Sequence, residues 1–536
     1  MINKFYTSEL DDYVFLKSNS EEFTFLRFKQ LIAHNLESIK KKKENVVILS
    51  NDSLSFIVNF FTSAFANKNI YITDEVIKIE NVDFDFDVLS TIDIKAEDKE
   101  VSLPKIDDNK VYINLLTSGS SGYPKIIKNT LHNMMAEAKG VCTDITCPYN
   151  RHFTVKTTTT YSHLFGLTFA LFMPLAKNYT ISLDKMYYPE KTPMCDYIIV
   201  STPSFLDSIK NNNIKFPSSP KYIITAGSRL KKETFEYFEK DQHIIEIYGS
   251  TETGIIGYRT NSFDEELTLF SEVNITPCEE GSIVNTPYAI NNEILIHDAI
   301  EVKGRKILLK NRTDRLLKIQ EKRISAESME SKLRESELVN DAFCFKKTDK
   351  IACLCALSTE GKNYLLKNGI VELTKELKQH AKKTFEIIPQ RWKFIDTIPV
   401  TNRGKIDVEF IAHIFDINFS FPIVLERKWY ENRIRYKLYF YPNSNFYSGH
   451  FPSQPITPGV AQLYLASFLG SHYFKEQLTD GQMKKIKFSN IIKEGDIVDL
   501  ELIKTDNTVS YEYKTEDEVF SSGQFSCDNI LAGEEE

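Results

Sequence analysis

The sequence predicts an α/β protein with a large N-terminal domain built on parallel sheets, followed by two smaller α+β units. Three observations predict this organisation. The chain has 536 residues, too many for one hydrophobic core, so several domains are expected. Residues 1–310 alternate short apolar runs with helical patterns, which favours a largely parallel sheet. From about residue 421 the pattern changes to long alternating strands around one apolar helix.

Four short apolar runs in the large domain are candidate parallel strands: NVVILS, IYIT, YIIVS and YIITAG. Each is followed by a helix-like segment. Sites in such sheets lie beyond the carboxyl ends of the strands. A glycine-serine loop after LLT and the segments TAGS and YGSTETG all follow apparent strands. We therefore expect these segments to line one cleft.

The rest of the chain predicts two smaller units. Residues 312–412 contain a charged helix (ISAESMESKLRES), a cysteine-bearing strand (IACLCALS) and a Lys-rich helix (VELTKELKQHAKKTF). Residues 413–420 predict a connector. The last unit has strand candidates RIRYKLYFY and VSYEYKTEDEVFSSGQFS and a helix that starts near Pro458. The predicted domains are therefore 1–311, 312–412 and 421–536.

Composition excludes several function classes. A net charge of −8 and a pI near 5.8 argue against broad nucleic-acid binding. Eight cysteines without a CxxC pair predict neither a zinc site nor a disulfide framework. The longest apolar stretch, HLFGLTFALFMPLA, is about fourteen residues, shorter than a membrane span requires. With no secretory pattern at the N-terminus, we expect a cytoplasmic protein without a membrane span.

The segment LLTSGSSGYPK carries residues that can wrap a polyphosphate. Its glycines permit close backbone approach, its hydroxyl groups can donate hydrogen bonds, and its lysine supplies a compact cation. A plain turn is the alternative for such a loop taken alone, and the Walker pattern does not fit it. The candidate phosphate-binding residues are Thr117, Ser118, Gly119, Ser120, Ser121, Gly122 and Lys125.

Four motifs in order resemble the AMP-forming adenylation superfamily, which includes acyl-CoA synthetases, aryl-acid ligases, luciferases and peptide-synthetase adenylation domains. They are TSGSSGYPK, IYGSTETG at 247–254, NRTDRLLK at 311–318 and IPVTNRGKID at 398–407. The resemblance covers roughly residues 1–412. It implies ATP and Mg²⁺ as cofactors and a carboxylic acid as substrate.

The resemblance also implies roles for residues near the nucleotide. Thr251 would contact the α-phosphate and Glu252 would hold Mg²⁺, whereas the alternative for this pair is the N-cap and first-turn acid of a helix. Tyr248 would stack on adenine, with a core tyrosine as the alternative. The other residues that the motifs imply are Gly227 and Ser228 along the adenine, Gly249 in the YGxTE segment, Asp298 at the ribose hydroxyls in a partial match, and Arg312 at ribose or phosphate.

Lys405 is the residue that the resemblance implicates most strongly in catalysis. The matching lysine of the family bridges the carboxylate and the α-phosphate during adenylation. It lies on a small mobile C-terminal subdomain that rotates about a hinge aspartate, here Asp314. The alternative is a solvent-exposed lysine in a turn.

The acid pocket is expected near TTTTYSHLFGL, where His163 and Gly166 fit a His-x-x-Gly spacing. A buried structural histidine is the alternative. Amino-acid-activating members usually carry an aspartate here, and none occurs between Asp144 and Asp184, which favours a fatty or aryl acid. Glu321 replaces a family glycine beside the pantetheine tunnel. This departure favours a carrier-protein thiol over free CoA as the acceptor, and a CoA-using fatty acyl-CoA synthetase is the alternative.

Residues 446–466, FYSGHFPSQPITPGVAQLYLA, resemble the hot-dog-fold 3-hydroxyacyl-carrier-protein dehydratases. The resemblance implies His450 as catalytic base, a homodimer through this domain, and a pathway of fatty-acid or aryl-polyene type. The place of the expected acid, fourteen residues after His450, holds Tyr464. Dehydration with Tyr464, Gln462 or a water, and an inactive module that binds acyl thioesters or carriers, therefore remain alternatives.

Overall fold

The chain forms two compact units in the computed structural model. The first is Met1–Lys310, and the second contains Asn311–Thr401 and the chain from Ile406 onward. Only the backbone is described at 311, 312, 316, 318, 322, 323 and 416. The structure describes residues 1–527 except 51, 74–81, 95–100, 118–124, 146–151, 187–195, 212, 217, 261–262, 313–314, 320–321, 349, 402–405, 417–420, 431, 443, 445–446, 448–454, 475–477, 479–482 and 506.

The strands of the first unit build three sheets from its described residues. In chain order they are β1 Val14–Lys17, β2 Glu22–Thr24, β3 Asn45–Ile48, β4 Asn69–Ile72, β5 Asp87–Leu89, β6 Tyr112–Thr117, β7 Lys125–Thr130, β8 Thr154–Thr157, β9 Thr180–Ser182, β10 Tyr197–Ser201, β11 Tyr222–Thr225, β12 His243–Ser250, β13 Gly254–Thr260, β14 Glu266–Leu269, β15 Asn274–Cys278, β16 Gly281–Asn285, β17 Glu293–Ile296, β18 Asp298–Lys303 and β19 Lys306–Arg312, which ends just past the unit boundary.

The helices of this unit separate the strands along the chain. They are α1 Phe25–Lys40, α2 Ser53–Phe65, α3 Leu131–Asp144, α4 Leu164–Gly166, α5 Met173–Lys177, α6 Pro203–Asn211 and α7 Lys232–Phe238, with a 3₁₀ turn at Ile2–Tyr6 and a π-helical turn at Leu167–Phe172. The Thr24 hydroxyl accepts from the Arg27 N–H and caps α1. A capping box of Thr130 and Asn133 starts α3.

The predicted parallel strands are confirmed. The largest sheet has the order β18-β19-β14-β13-β12-β11-β10-β8-β9-β1-β2. In it β8, β10, β11 and β12 run parallel, and the whole of β10 is buried, as expected for a strand covered on both faces. A second sheet, β5-β3-β4-β6-β7, is parallel except for β7, which returns antiparallel to β6. The third sheet is β15-β16-β17.

The second unit carries two further main sheets. Its helices are α8 Ala326–Arg334, α9 Thr359–Lys382, α10 Val408–Asp416 and α11 Gly459–Phe474. Its strands are β20 Leu316–Ile319, β21 Lys322–Ser325, β22 Val339–Lys347, β23 Lys350–Leu357, β24 Arg391–Ile395, β25 Ile423–Trp429, β26 Arg433–Tyr439, β27 Lys484–Phe488, β28 Ile497–Thr505, β29 Thr508–Lys514 and β30 Val519–Ser526.

The six-stranded sheet β25-β26-β28-β29-β30-β27 is antiparallel and packs on α11, consistent with a hot-dog fold. One expected strand differs in detail. The run VSYEYKTEDEVFSSGQFS forms two strands, β29 and β30. They are joined by a turn in which the Thr515 N–H donates to the Glu518 carbonyl, 2.9 Å away. The charged residues between the two apolar patterns occupy this turn.

The three-stranded sheet β22-β23-β24 and the six-stranded sheet share one apolar core. Phe343, Leu354 and Ile395 of the smaller sheet belong to the same buried cluster as Val424 and Leu465 of the hot-dog part. The opposite face of β25 contributes to a second cluster with α8 and α9. The two predicted C-terminal parts therefore pack as one compact unit.

A buried ion pair and an aromatic stack reinforce this packing. Arg427 on β25 donates from Nε to Asp396, which follows β24, at 2.8 Å, and the aspartate side chain is 8% exposed. Phe410 of α10 stacks on Phe468 of α11 with ring centroids 4.6 Å apart. Nearby, His472 lies 3.5 Å from the Asp407 carboxylate.

Candidate active site

The segment TSGSSGYPK connects the two strands of a β-hairpin. Thr117 ends β6 directly opposite Lys125, the first residue of β7, and the Thr117 hydroxyl donates to the Lys125 carbonyl at 3.2 Å. The expected strand before the loop is therefore present. The five loop residues among the candidates, Ser118, Gly119, Ser120, Ser121 and Gly122, lie outside the described residues.

Thr251 and Glu252 lie at the tip of a second hairpin, between β12 and β13. The alternative reading of this pair as a helix N-cap and first-turn acid is wrong, because β13 follows it. Two glycines allow the tight turn. A Cβ on Gly249 would lie 2.3 Å from the Gly254 carbonyl oxygen, and Gly254 adopts a φ of +74°.

The two hairpins meet through a salt bridge. Lys125 Nζ lies 2.8 Å from Glu252 Oε1, although the residues are 127 positions apart in the sequence. Both side chains keep solvent contact, with exposed fractions of 57% and 37%. An exposed pair of this kind contributes about 0–1 kcal/mol to stability. Its importance is geometric, because it places an ammonium group, which suits phosphate oxygens, beside a carboxylate, the kind of oxygen ligand that Mg²⁺ prefers.

Replacing Lys125 by alanine is expected to leave stability nearly unchanged and to raise the KM for ATP about tenfold, since one charge-assisted phosphate contact is lost. Steady-state pyrophosphate exchange and a thermal melt measure the two effects. Lys17→Ala is the matched control, because Lys17 forms a similarly exposed pair with Glu22 at 2.6 Å. An unchanged KM in Lys125→Ala would contradict the phosphate role.

The segments expected along the nucleotide follow neighbouring strands. Gly227, at a φ of +103°, and Ser228 lie just after β11, which pairs in parallel with β12. Tyr248 lies on β12, half-buried and packed against the main core, and its stacking on adenine stays a prediction. The carboxyl ends of β11 and β12 thus bring both segments to one sheet edge.

Asp298 and Arg312 lie farther along the large sheet. Asp298 is half-buried and opens β18, the edge strand, four places from β12 in the sheet order. Arg312 ends the neighbouring strand β19, and its side chain lies outside the described residues. Lys405, Asp314, Glu321 and His450 also lie outside the described residues.

The His-x-x-Gly spacing has a local cause in the fold. His163 is the N-cap residue of the short helix α4, and Gly166 closes that helix. A Cβ on Gly166 would lie 2.0 Å from the Thr160 carbonyl oxygen, so packing alone requires a glycine there. The glycine is thus explained without a substrate contact, and the pocket role of His163 stays a prediction.

Glu137 on α3 is a site-adjacent residue that the motifs do not contain. Its side chain is buried and accepts hydrogen bonds from the Ile255 N–H at 3.0 Å and the Thr168 hydroxyl at 3.1 Å. Burial raises the pKa of this carboxyl to about 8. The sequence does carry a signal for this burial. Glu137 lies one turn after Met134 and one turn before Val141, so it shares a helix face with two apolar residues that are buried.

In the hot-dog part, Tyr464 faces α10. Its hydroxyl hydrogen-bonds the His413 ring, and the two rings stack with centroids 6.2 Å apart. Gln462, the other alternative considered for the missing acid, is buried and bonded to Thr457 and Ser521. Both side chains therefore have structural partners.

The described residues contain neither a membrane-spanning helix nor a cluster of potential metal ligands. No described helix is long and apolar enough to cross a membrane. No group of three or more His, Cys, Asp or Glu side chains in the described ranges could hold a metal ion. Mg²⁺ in proteins is often bound by one or two carboxylates with phosphate oxygens, and Glu252 offers one such carboxylate.

Comparison with known protein families identifies both parts of the chain. Residues 30–299, just over half of the sequence, match the model of the AMP-binding enzyme family. The chain belongs to this family. Residues 426–524 of this AMP-binding enzyme match a second model, ApeI-like, described as ApeI dehydratase. The resemblances inferred from the motifs are confirmed by these two matches.

Known relatives of this AMP-binding enzyme are distant. A D-alanine--D-alanyl carrier protein ligase of Staphylococcus aureus is 23% identical over 223 residues, which cover 38% of this chain and 43% of the relative. The match thus spans less than half the length of that relative.

Solved structures share the fold. A benzoate CoA ligase from Burkholderia xenovorans LB400 gives a TM-score of 0.60 at 15% identity, covering 76% of this chain and 98% of the ligase. The anthranilate CoA ligase AuaEII, solved with anthranoyl-AMP, gives a TM-score of 0.61 at 14% identity, covering 77% of this chain and 96% of the ligase. At these identities the likeness establishes an adenylation-type fold.

Proposed function

We propose that the chain is an AMP-forming acid–thiol ligase. It activates a fatty or aryl carboxylic acid with ATP as the acyl adenylate and transfers the acyl group to the phosphopantetheine thiol of a carrier protein. The observation that carries the proposal is the Lys125–Glu252 contact, which joins the hairpin of the TSGSSGYPK loop to the tip of the YGSTETG hairpin. Membership of the AMP-binding enzyme family supports it.

The residues suit the chemistry of adenylation. A carboxylate is a poor electrophile, and its attack on the α-phosphate requires two anions to be oriented while charge on the phosphates is neutralised. Lys125 and the 117–125 loop bind the β- and γ-phosphates, Thr251 contacts the α-phosphate, and Lys405 bridges the two reacting anions. Glu252 holds Mg²⁺, which supplies further charge neutralisation when bound.

The acid substrate carries no α-ammonium group in this proposal. The named activity of the S. aureus relative concerns D-alanine, an amino acid. Residues 145–183 of this chain contain neither Asp nor Glu to pair with an ammonium. The described part of this segment is largely apolar and buried, with Leu164, Leu167 and Phe169 among its core residues. An apolar acyl or aryl group fits that composition.

Acid-dependent ATP–pyrophosphate exchange tests the ligase. The panel contains fatty, hydroxybenzoic, cinnamic and amino acids. Exchange with one fatty or aryl class supports the proposal and names the substrate class. Exchange with amino acids alone contradicts the assignment of the acid, and no exchange with any acid contradicts the ligase activity itself.

The acceptor is expected to be a carrier protein. Glu321 replaces the glycine expected beside the pantetheine path, and its negative charge disfavours the anionic phosphates of free CoA. In competition, holo-carrier protein is expected to take at least about tenfold more acyl group than equimolar CoA, and Glu321→Gly to narrow that ratio. Mass spectrometry of both products gives the ratio. Equal use of both acceptors by the unaltered chain would favour a CoA-using acyl synthetase.

The hot-dog part acts on, or binds, hydroxyacyl thioesters in this proposal. The Gly-His-Phe-Pro motif and the ApeI-like match support a dehydratase relative. His450→Ala is expected to end dehydration of 3-hydroxyacyl-carrier substrates, because the base that removes the α-proton is lost. Absorbance of the enoyl thioester measures the reaction. Dehydration that persists in His450→Ala would exclude this histidine as base, and none in the unaltered chain would favour a binding module.

A homodimer through the hot-dog part is also proposed. Strand β27 lies at the edge of the six-stranded sheet, and all five of its residues are exposed. Its exposed Ile486 and Phe488 add apolar surface to an edge that can pair with another strand. Light scattering of the purified chain measures the oligomeric state, and a monomer would contradict the proposal.

A further inference from the structure

Glu137 occupies a position that links two parts of the candidate site. Its carboxyl is 1% exposed and lies on α3, which begins directly after the hairpin strand β7. One carboxyl oxygen, Oε1, accepts from the Ile255 N–H on β13. The other, Oε2, pairs with the hydroxyl of Thr168, which is itself 1% exposed and lies in the π-helical turn after the His163 segment.

The packing at Gly254 fixes this carboxyl against the turn that carries Thr251 and Glu252. A Cβ at Gly254 would lie 3.3 Å from Glu137 Oε1 and 2.9 Å from Tyr288 Cβ. The backbone therefore passes directly over the carboxyl, and the positive φ of Gly254 lets the chain turn there. A shorter side chain at 137 would leave the Ile255 N–H without its buried acceptor.

We infer that Glu137 is a positioning residue of the ligase site, which holds the 251–254 turn, and with it Glu252, in register with the segment that begins at His163. Glu137 is buried, and the partners of its carboxyl are protein groups, the Ile255 N–H and the Thr168 hydroxyl. It acts by joining two segments that are far apart in the sequence, through the Thr168 side chain and the Ile255 backbone. The inference rests on the proposed function and deepens it, since the nucleotide and the acid are expected at these two segments.

The protonation state of Glu137 agrees with this role. Burial raises the pKa of its carboxyl to about 8, so the neutral form predominates at pH 7. Oε1 accepts from the Ile255 N–H and Oε2 accepts from the Thr168 hydroxyl, and a neutral carboxyl has acceptor capacity for both contacts. Glutamine has the same shape, keeps an oxygen that accepts from the Ile255 N–H and can donate from its amide group to the Thr168 hydroxyl oxygen, so it is the conservative replacement.

Three variants of the full chain test the inference. Glu137→Ala removes both contacts and Glu137→Gln keeps them. Leu206→Ala lies in a separate apolar cluster of the same unit and controls for lost stability alone. Glu137→Ala is expected to lower kcat/KM for ATP in pyrophosphate exchange about tenfold or more, mainly through KM. Glu137→Gln and Leu206→Ala are expected to stay within about threefold of the unaltered chain at a temperature where all are folded.

Hydrogen–deuterium exchange gives a readout that needs neither acid nor ATP. The peptide that spans 250–258 is expected to exchange faster in Glu137→Ala and at the original rate in the other two variants. Unchanged exchange of this peptide, or a Gln variant as impaired as the Ala variant, overturns the inference. Absence of pyrophosphate exchange in the unaltered chain would instead defeat the proposed function, and the peptide measurement would still decide the role of Glu137.

Discussion

Replacing Lys405 by alanine is expected to reduce adenylate formation by at least about a hundredfold, because no other group then bridges the carboxylate and the α-phosphate as charge develops between them. Acid-dependent pyrophosphate exchange measures the loss. Transfer from a chemically prepared acyl adenylate to the carrier thiol is expected to continue, since the family's lysine leaves the site before that step.

Measuring adenylation and thiol transfer separately shows whether the Lys405→Ala variant is still folded, because a folded variant keeps the transfer step. Lys367→Ala, which replaces an exposed lysine on α9, is the matched control and is expected to retain both activities. If Lys405→Ala kept full exchange activity, the lysine would have no part in adenylation. If it lost the transfer step as well, a general defect would explain the result.

The second large effect concerns the shared core of the C-terminal unit. Asp396→Ala leaves the Arg427 guanidinium without its carboxylate in a mostly buried setting, where the two side chains are 8% and 21% exposed. Breaking a buried pair from one side costs about 3–5 kcal/mol, and we expect the lower end of that range because Arg427 keeps some solvent contact. Arg427 also donates to the Thr397 carbonyl at 3.1 Å, and this contact remains.

Two tryptophans allow the unfolding of each part to be followed separately. Trp392 lies on β24 of the ligase part and Trp429 on β25 of the hot-dog part, and the chain contains no others. In Trp392→Phe and Trp429→Phe, fluorescence therefore reports one part at a time. We expect both variants to unfold at one denaturant midpoint, and Asp396→Ala to lower the two midpoints together.

The matched control is Glu426→Ala. Glu426 pairs with Lys428 at 3.3 Å on the same strand, but both side chains are 43% exposed, so a change below about 1 kcal/mol is expected. Two separate midpoints, or an effect of Asp396→Ala on one tryptophan alone, would mean that the two parts fold independently.

Local patterns predicted those elements whose partners are close in sequence or are repeated along a sheet. YIIVS and YIITAG form neighbouring parallel strands because their runs of Ile and Val suit a sheet buried on both faces. Thr117 and Lys125 were predicted as site residues from loop chemistry. Their convergence with Glu252 depends on the meeting of two hairpins, which no local pattern describes.

Other features depended on contacts between distant segments. A glutamate on a helix is usually exposed to solvent, so its residue type does not predict that Glu137 is buried. Its buried carboxyl is bonded to Thr168 and Ile255, which lie far along the chain. The 312–412 and 421–536 segments were predicted as separate domains from a change in periodicity. Periodicity gives the apolar face of β24 or β25, but not which partner covers that face.

The apolar core shared by β24, β25, α10 and α11 limits where this chain can be divided into fragments or fused to other domains. A fragment that stops before Phe421 would expose Ile395 and Phe410 to water, and a fragment that starts there would expose Val424 and Phe468. Each fragment would then carry an exposed apolar surface that promotes aggregation. A dehydratase-like segment from another protein could replace this one only if it brought an apolar surface that matches β24 and α10.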